Sequence, residues 1–235
     1  SSGINYKVYL GKTDGSPAIL LGDGYGFGLS PDGRWVVSIL SSPPQLVLLP
    51  TGAGQPRRLE RFQIEQYGYG ASWLPDGKGI VFIGKEPGHF QRSYVQNVDG
   101  GPPRAVTPDG ISGSLVSPDG KLVLAQDSTV RKVPSIYPLD GGDPRPVPGL
   151  TEGDRVLRWG IDGRSLFVCR YRELPVRVFK LDVNTGHKEL WKELAPADPA
   201  GILGAINPQV TPDGKSYVYA FTRYLSDLYL VEGLN

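Results

Sequence analysis

Short apolar runs, each closed by a polar turn, recur along the whole chain. The clearest are Trp35–Ile39, Ile80–Ile83, Leu122–Ala125, Leu166–Cys169 and Tyr217–Ala220. Each follows a tripeptide turn: Pro31-Asp32-Gly33, Pro75-Asp76-Gly77, Pro118-Asp119-Gly120, the variant Ile161-Asp162-Gly163, and Pro212-Asp213-Gly214. The aspartates stand 44, 43, 43 and 51 residues apart. Three residues before each lies another apolar side chain: Leu29, Trp73, Val116, Trp159 or Val210. After a polar gap comes a further apolar run, as in Leu46–Leu49, Tyr94–Val98, Val178–Leu181 and Leu228–Val231. A second turn then follows at Asp99-Gly100-Gly101, Asp140-Gly141-Gly142 or Asn184-Thr185-Gly186. Four strands in about 43 residues is the content of one antiparallel propeller blade. Pro108-Asp109-Gly110 is out of register and reads as a loop.

The turn chemistry accounts for the motif. Proline presets φ for the second position of a type I turn, and aspartate bonds nearby backbone amides. Glycine then takes the left-handed conformation that closes the hairpin. A blade cannot hide its own faces, so neighbours must stack on it. That is why the central strands are apolar on nearly every residue. Trp73 and Trp159 are expected to pack between blades.

The pattern predicts an all-β fold, a β-propeller with about five four-stranded blades, as one domain over 1–235. Its repeats run 25–67, 68–110, 111–153 and 154–205, flanked by partial blades at 1–24 and 206–235. Lys7–Leu10 and Ala18–Leu21 read as the third and fourth strands of a blade. Letting that fourth strand complete the last blade gives five blades with one strand left over. Leaving it open gives part of a six- or seven-bladed ring, whose exposed edges invite oligomerisation.

Glycine (32) and proline (22) make up about 23% of the 235 residues, spread evenly, so they punctuate many short elements. A formal net charge of +1 shows no basic excess for nucleic acid. The single cysteine, Cys169, excludes an internal disulfide and a cysteine-based zinc cluster. No apolar run approaches the ~20 residues that span a bilayer as a helix, so no direct membrane insertion is expected. The lack of methionine even at position 1 suggests a segment of a longer polypeptide.

The sequences Leu29-Ser30-Pro31-Asp32-Gly33-Arg34 and Val116-Ser117-Pro118-Asp119-Gly120-Lys121 resemble the TolB-like, WD-repeat-like propeller motif, and the resemblance covers essentially the whole chain. The ending Tyr224–Leu234 resembles the C-termini of bacterial sensor proteins that join such a propeller to a Ser/Thr kinase or DNA-binding domain. The resemblance implies a bacterial, extracytoplasmic sensing or scaffold domain. The fourth repeat departs from it, with Ile161 in place of proline and a longer stretch from Glu193 to Ile206 that suggests an insertion.

Catalytic signatures are weak. Gly70-Ala71-Ser72-Trp73-Leu74 lacks the second glycine of a nucleophile elbow and lies within a repeated strand. His89 and His187 have no ligand spacing, so neither metal nor cofactor is expected. Glycines 22, 24, 26 and 28 do not match a dinucleotide loop, because Leu29 takes the third glycine's place and a strand follows. They suggest close backbone approach instead. The rim opposite the Asp turns carries variable loops rich in tyrosine and arginine, including Tyr67, Arg131 and Arg223. Tyr25, Tyr69 and Arg155 each lie seven residues before their aspartate and should ring one mouth of the channel. Phe90, Tyr171, Arg172 and Tyr224 complete the candidate partner-binding set, since such residues dominate interaction hot spots. The reading is a non-catalytic module with a protein or peptide partner, not an enzyme. The alternatives are a receptor for glycans or cell-wall fragments, and the propeller of a peptidase whose catalytic domain lies elsewhere.

Overall fold

A computed structural model describes residues 6–127, 133–170, 173–198 and 200–225. The chain divides into two compact units, residues 1–147 and 148–235. The described elements are all β-strands joined by turns and loops.

The first unit begins with a two-stranded sheet of β1 (Lys7–Leu10) and β2 (Ile19–Asp23). Three four-stranded antiparallel meanders follow. The first holds β3 (Tyr25–Leu29), β4 (Trp35–Ser41), β5 (Pro44–Pro50) and β6 (Arg57–Arg58). The second holds β7 (Gln66–Trp73), β8 (Gly79–Lys85), β9 (Arg92–Asn97) and β10 (Arg104–Ala105), and the third β11 (Ile111–Val116), β12 (Leu122–Asp127), β13 (Ser135–Pro138) and β14 (Arg145–Pro146). The second unit holds one more meander: β15 (Asp154–Trp159), β16 (Ser165–Arg170), β17 (Val176–Asp182) and β18 (Lys188–Leu194). It ends with the pair β19 (Ile202–Val210) and β20 (Tyr217–Arg223). The expected strand over Leu228–Val231, like most of the sensor-like ending, lies outside the described residues.

Each Asp turn forms as the motif requires. The Gly33 amide donates to the Ser30 carbonyl at 2.8 Å, and Gly77, Gly120, Gly163 and Gly214 repeat that bond to Leu74, Ser117, Gly160 and Thr211. All five glycines have φ between 64° and 72°. The aspartate then caps the amide just past the glycine, as Asp32 Oδ1 does for Arg34 at 3.0 Å. In the first unit these turns share one side: a Cβ on Gly77 would meet Pro31, and one on Gly120 would meet Pro75.

Core lies between successive sheets, which explains the unbroken apolar runs. On β4, Val36 packs with Val8, Val47 and Leu49, whereas its neighbour Val37 packs with Ile80, Phe82 and Tyr94. On β8, Ile80 and Phe82 face back to that cluster, while Val81 packs forward with Val123 and Leu139. Phe82 and Tyr94 are fully buried with ring centroids 5.6 Å apart, and each contributes about 1.5–3 kcal/mol through burial. Phe167, Cys169, Val176, Val178, Leu194 and Val210 form a corresponding core in the second unit. Trp73 packs between sheets as expected, with its indole Nε1 donating to the Gly28 carbonyl at 3.2 Å. Trp159 is buried in the second unit. Leu29 departs from the pattern and is half exposed at the end of β3.

The longer stretch in the fourth repeat is used mainly to extend strands. β18 has seven residues where β6, β10 and β14 have two, and β19 has nine.

Candidate functional site

The strands that carry the candidate tyrosines are built on glycine. Tyr25 lies between Gly24 and Gly26, and Tyr69 between Gly68 and Gly70. A Cβ on Gly70 would stand 2.6 Å from Ser114 Oγ and 2.9 Å from Ile83 Cδ1. Gly24 has φ +105°, and a Cβ there would meet Ser38 Oγ at 2.5 Å. The glycines therefore press their backbone onto the sheet while the tyrosine between them stands clear.

The two phenols meet. Tyr25 and Tyr69 ring centroids are 4.7 Å apart, edge to face, and Tyr6 packs on Tyr25 at 4.1 Å. A hydrogen bond with Tyr69, together with partial desolvation and Tyr6, pushes the Tyr25 phenol well above its ordinary range. Tyr69 is 70% exposed, so the cluster presents an aromatic surface with polar tips. Tyr6 was not among the expected residues. The signal that could have found the site is the Gly-Tyr-Gly triplet repeated one blade apart.

Tyr67 is corrected from rim to core. Its ring packs on Phe82 at 5.4 Å, and burial pushes its phenol up to about 12. The pairing of β7 with β8 shifts register between Tyr67 and Ala71. Strict alternation would place Tyr67 and Tyr69 on one face; the bulge separates them.

Phe90 is 64% exposed in the loop joining β8 to β9, at the end of the sheet where β7 begins. That loop is clamped from several sides. Arg92 bonds both Glu86 and the Tyr94 hydroxyl, and Asp109 Oδ1 accepts from the Phe90 amide at 2.9 Å. His89 Nδ1 lies 3.6 Å from Asp109 Oδ2. The out-of-register Pro108-Asp109-Gly110 turn thus braces the loop that presents Phe90.

In the second unit, Arg155 is exposed on β15 opposite the buried Cys169. Tyr224 is 68% exposed just past β20, its amide donating to the Gly201 carbonyl at 2.9 Å. Tyr171, Arg172 and Arg131 lie outside the described residues. The glycine series at 22, 24, 26 and 28 spans two strands, not one inner strand. Gly22, Gly24 and Gly26 meet close neighbours, whereas a Cβ on Gly28 would meet nothing within 4 Å. Among the described residues no group of three or more His, Cys, Asp or Glu side chains could hold a metal ion.

No family model matches the chain. It is 31% identical over 157 residues to the uncharacterized peptidase YuxL of Bacillus subtilis, covering 63% of this chain and 21% of that protein. It is 29% identical over 215 residues to dipeptidyl-peptidase 5 of Porphyromonas endodontalis, covering 83% of this chain and 28% of that one. The chain therefore spans between a fifth and a third of the length of these relatives. Among solved structures, a putative TolB from Agrobacterium tumefaciens matches with a TM-score of 0.65 at 19% identity, covering 88% of this chain and 74% of that chain. With its antiparallel four-stranded blades, the chain has the TolB-like β-propeller repeat fold.

Proposed function

We propose that this chain is a non-catalytic recognition module that binds protein or peptide through the loop rim of its first unit. The observation that carries the reading is the Tyr6–Tyr25–Tyr69 cluster, in which the half-buried Tyr25 joins the exposed Tyr6 and Tyr69 and glycine-built strands hold Tyr25 and Tyr69 in place. Tyrosines fixed on a rigid scaffold offer large contact area at small entropic cost. The clamped Phe90 adds an apolar anchor at the same end of its sheet. On the TolB likeness alone, the same reading puts the module outside the cytoplasm.

The test is selection of binders from a displayed peptide library on the intact chain. Replacing Tyr69 and Phe90 together by alanine should weaken the selected peptides about tenfold or more, with an unchanged thermal midpoint. Equal affinity for variant and parent would end the assignment.

A second reading rests on the names of the relatives: the chain supplies the propeller of a longer peptidase and meets the substrate peptide there. In that case too, this chain alone leaves a fluorogenic dipeptide amide intact. Turnover by the purified chain would overturn the non-catalytic reading in both forms.

A further inference from the structure

The opposite end of the first unit, where the Asp turns lie, has a feature of its own. A hollow of about 220 Å³ opens between the sheet of β3–β6 and that of β7–β10. Trp35 and Trp73 wall it, with Leu48 and Val98, and the turn aspartates Asp32 and Asp76 also line it.

The next junction in the same unit shows what is special here. The positions equivalent to Trp35 and Trp73 are Gly79 and Val116, so the two indoles belong to the first junction alone. The turns there are also less tightly stacked. A Cβ on Gly77 would stand 3.8 Å from Pro31, against 3.0 Å between Gly120 and Pro75 at the second junction.

The polar groups are unevenly committed. Arg57 also lines the hollow, but its Nη2 donates to the Val98 carbonyl at 2.9 Å and its guanidinium lies 5.9 Å from the Trp35 ring centroid. Arg104 makes the equivalent bond to Leu139 at the next junction, also at 2.9 Å, so this arginine is a repeated strut between sheets. The carboxylates are used on one oxygen. Oδ1 of Asp32 accepts from the Ser30 hydroxyl and the Arg34 amide, and Oδ1 of Asp76 from the Lys78 amide. Of the second oxygens, Asp32 Oδ2 has only a long ion pair, at 4.0 Å, with the exposed Arg34 Nε, and Asp76 Oδ2 shows no hydrogen bond or ion pair among the described residues.

We propose that this hollow binds an organic cation, the side chain of a lysine or arginine on a partner polypeptide. Its methylene stem lies on the indoles and apolar wall, and its charge meets Asp32 and Asp76. Aromatic faces and carboxylates both favour a cation with an apolar stem. The site stands apart from the tyrosine cluster and does not depend on it.

The experiment uses the intact chain and N-acetyl-lysine N-methylamide as the probe, followed by tryptophan fluorescence. Two of the four tryptophans line the hollow. A saturable change is expected, weakened by added salt. The uncharged norleucine analogue should bind at least about fivefold more weakly, as should the Asp76→Asn variant tested with the lysine probe. Asp76→Asn keeps an oxygen for the Lys78 amide and so spares the turn; Trp73→Phe, which keeps an aromatic wall but removes one reporter, checks the same site by NMR line shifts. Tyr69→Ala should leave the lysine response unchanged. Absence of saturation, equal binding of norleucine, or an unaltered response in Asp76→Asn would each overturn the proposal.

Discussion

At Asp32 and Asp119 of the first unit, as at Asp213 of the second, the hydroxyl that braces the turn comes from the residue before the proline; at Asp76 that residue is Leu74, which brings none. Ser117 donates to Asp119 Oδ1 at 2.5 Å and accepts the Leu122 amide at 3.0 Å, and Ser30 does the same with Asp32 and Trp35. In the fourth repeat, which forms the four-stranded sheet of the second unit, that place is Gly160. There the hydroxyl comes from the far side: Ser165 donates to both oxygens of Asp162, at 2.8 and 2.9 Å. Proline is absent as well, and the amide of Ile161 is spent on the Pro212 carbonyl at 2.8 Å. One backbone reversal is thus reached from two sets of side chains. What the turn demands is a capped aspartate followed by a left-handed glycine, and the other positions are exchangeable.

The outer edges differ in the same spirit. β6, β10 and β14 are blunted by being two residues long and by arginine and proline. β18 is seven residues long and carries Lys188, Glu189, Lys192 and Glu193. Both are means of denying a sheet edge to another chain.

The sharpest way to break the comparison is at the glycine. Gly120→Ala forces φ +72° on an alanine and sets its Cβ 3.0 Å from Pro75, and should cost about 2–3 kcal/mol in urea denaturation. Gly77→Ala carries the same strain with its neighbour at 3.8 Å, and should cost about 1–2 kcal/mol. Equal thermal midpoints for Gly77→Ala and parent would contradict the turn assignment.

Acid probes the caps next. The Ser30 hydroxyl and Arg34 amide hold the Asp32 carboxyl below its ordinary range, and Ser117 does the same for Asp119. Burial by itself would raise Asp162, but the Arg164 and Ser165 amides, the Ser165 hydroxyl and Lys180 outweigh it and leave its carboxyl far below that range. A carboxyl whose folded value is depressed contributes stability above its unfolded value of about 4, and loses it as pH falls through the folded value. The thermal midpoint should therefore hold from neutral pH to about pH 5 and decline steadily below about pH 4. Asp162→Asn should lower the neutral midpoint and flatten that decline more than Asp32→Asn does. An identical acid slope in all three proteins would separate stability from the caps.

The smallest effect belongs to Ile161→Pro. It removes a bond of about 1 kcal/mol to Pro212 but restores the preset φ of the other turns, worth about 0.4–1 kcal/mol. Ile161 is 67% exposed, so little packing is lost. A net change within about 0.5 kcal/mol is expected by urea denaturation. A loss several times larger would mean that the fourth turn is not interchangeable with the rest.

Much of the candidate site was legible in part. Tyr25 and Tyr69 are equivalent in the repeat, and blades that stack in register bring equivalent positions together. Tyr67 lies on the other side from its expected place because β7 carries two extra residues against β8 between Tyr67 and Ala71, and such a bulge leaves no mark in a hydrophobic pattern. Tyr6 and the hollow were not anticipated, since each depends on how one separate sheet packs against the next.

The sequence by itself determined the blade. Its turns rest on local requirements that few residues meet, a side-chain cap at aspartate and a left-handed backbone at glycine, helped in four of the five by the fixed φ of proline. Their spacing then sets the strand count of each sheet. Tertiary structure alone decided which side chains meet across sheets: Trp73 at the Gly28 carbonyl, Tyr6 on Tyr25, Arg57 at Val98. Such contacts follow from register, bulges and the stacking of whole sheets, which depend on packing over the entire interface and not on any short stretch of chain.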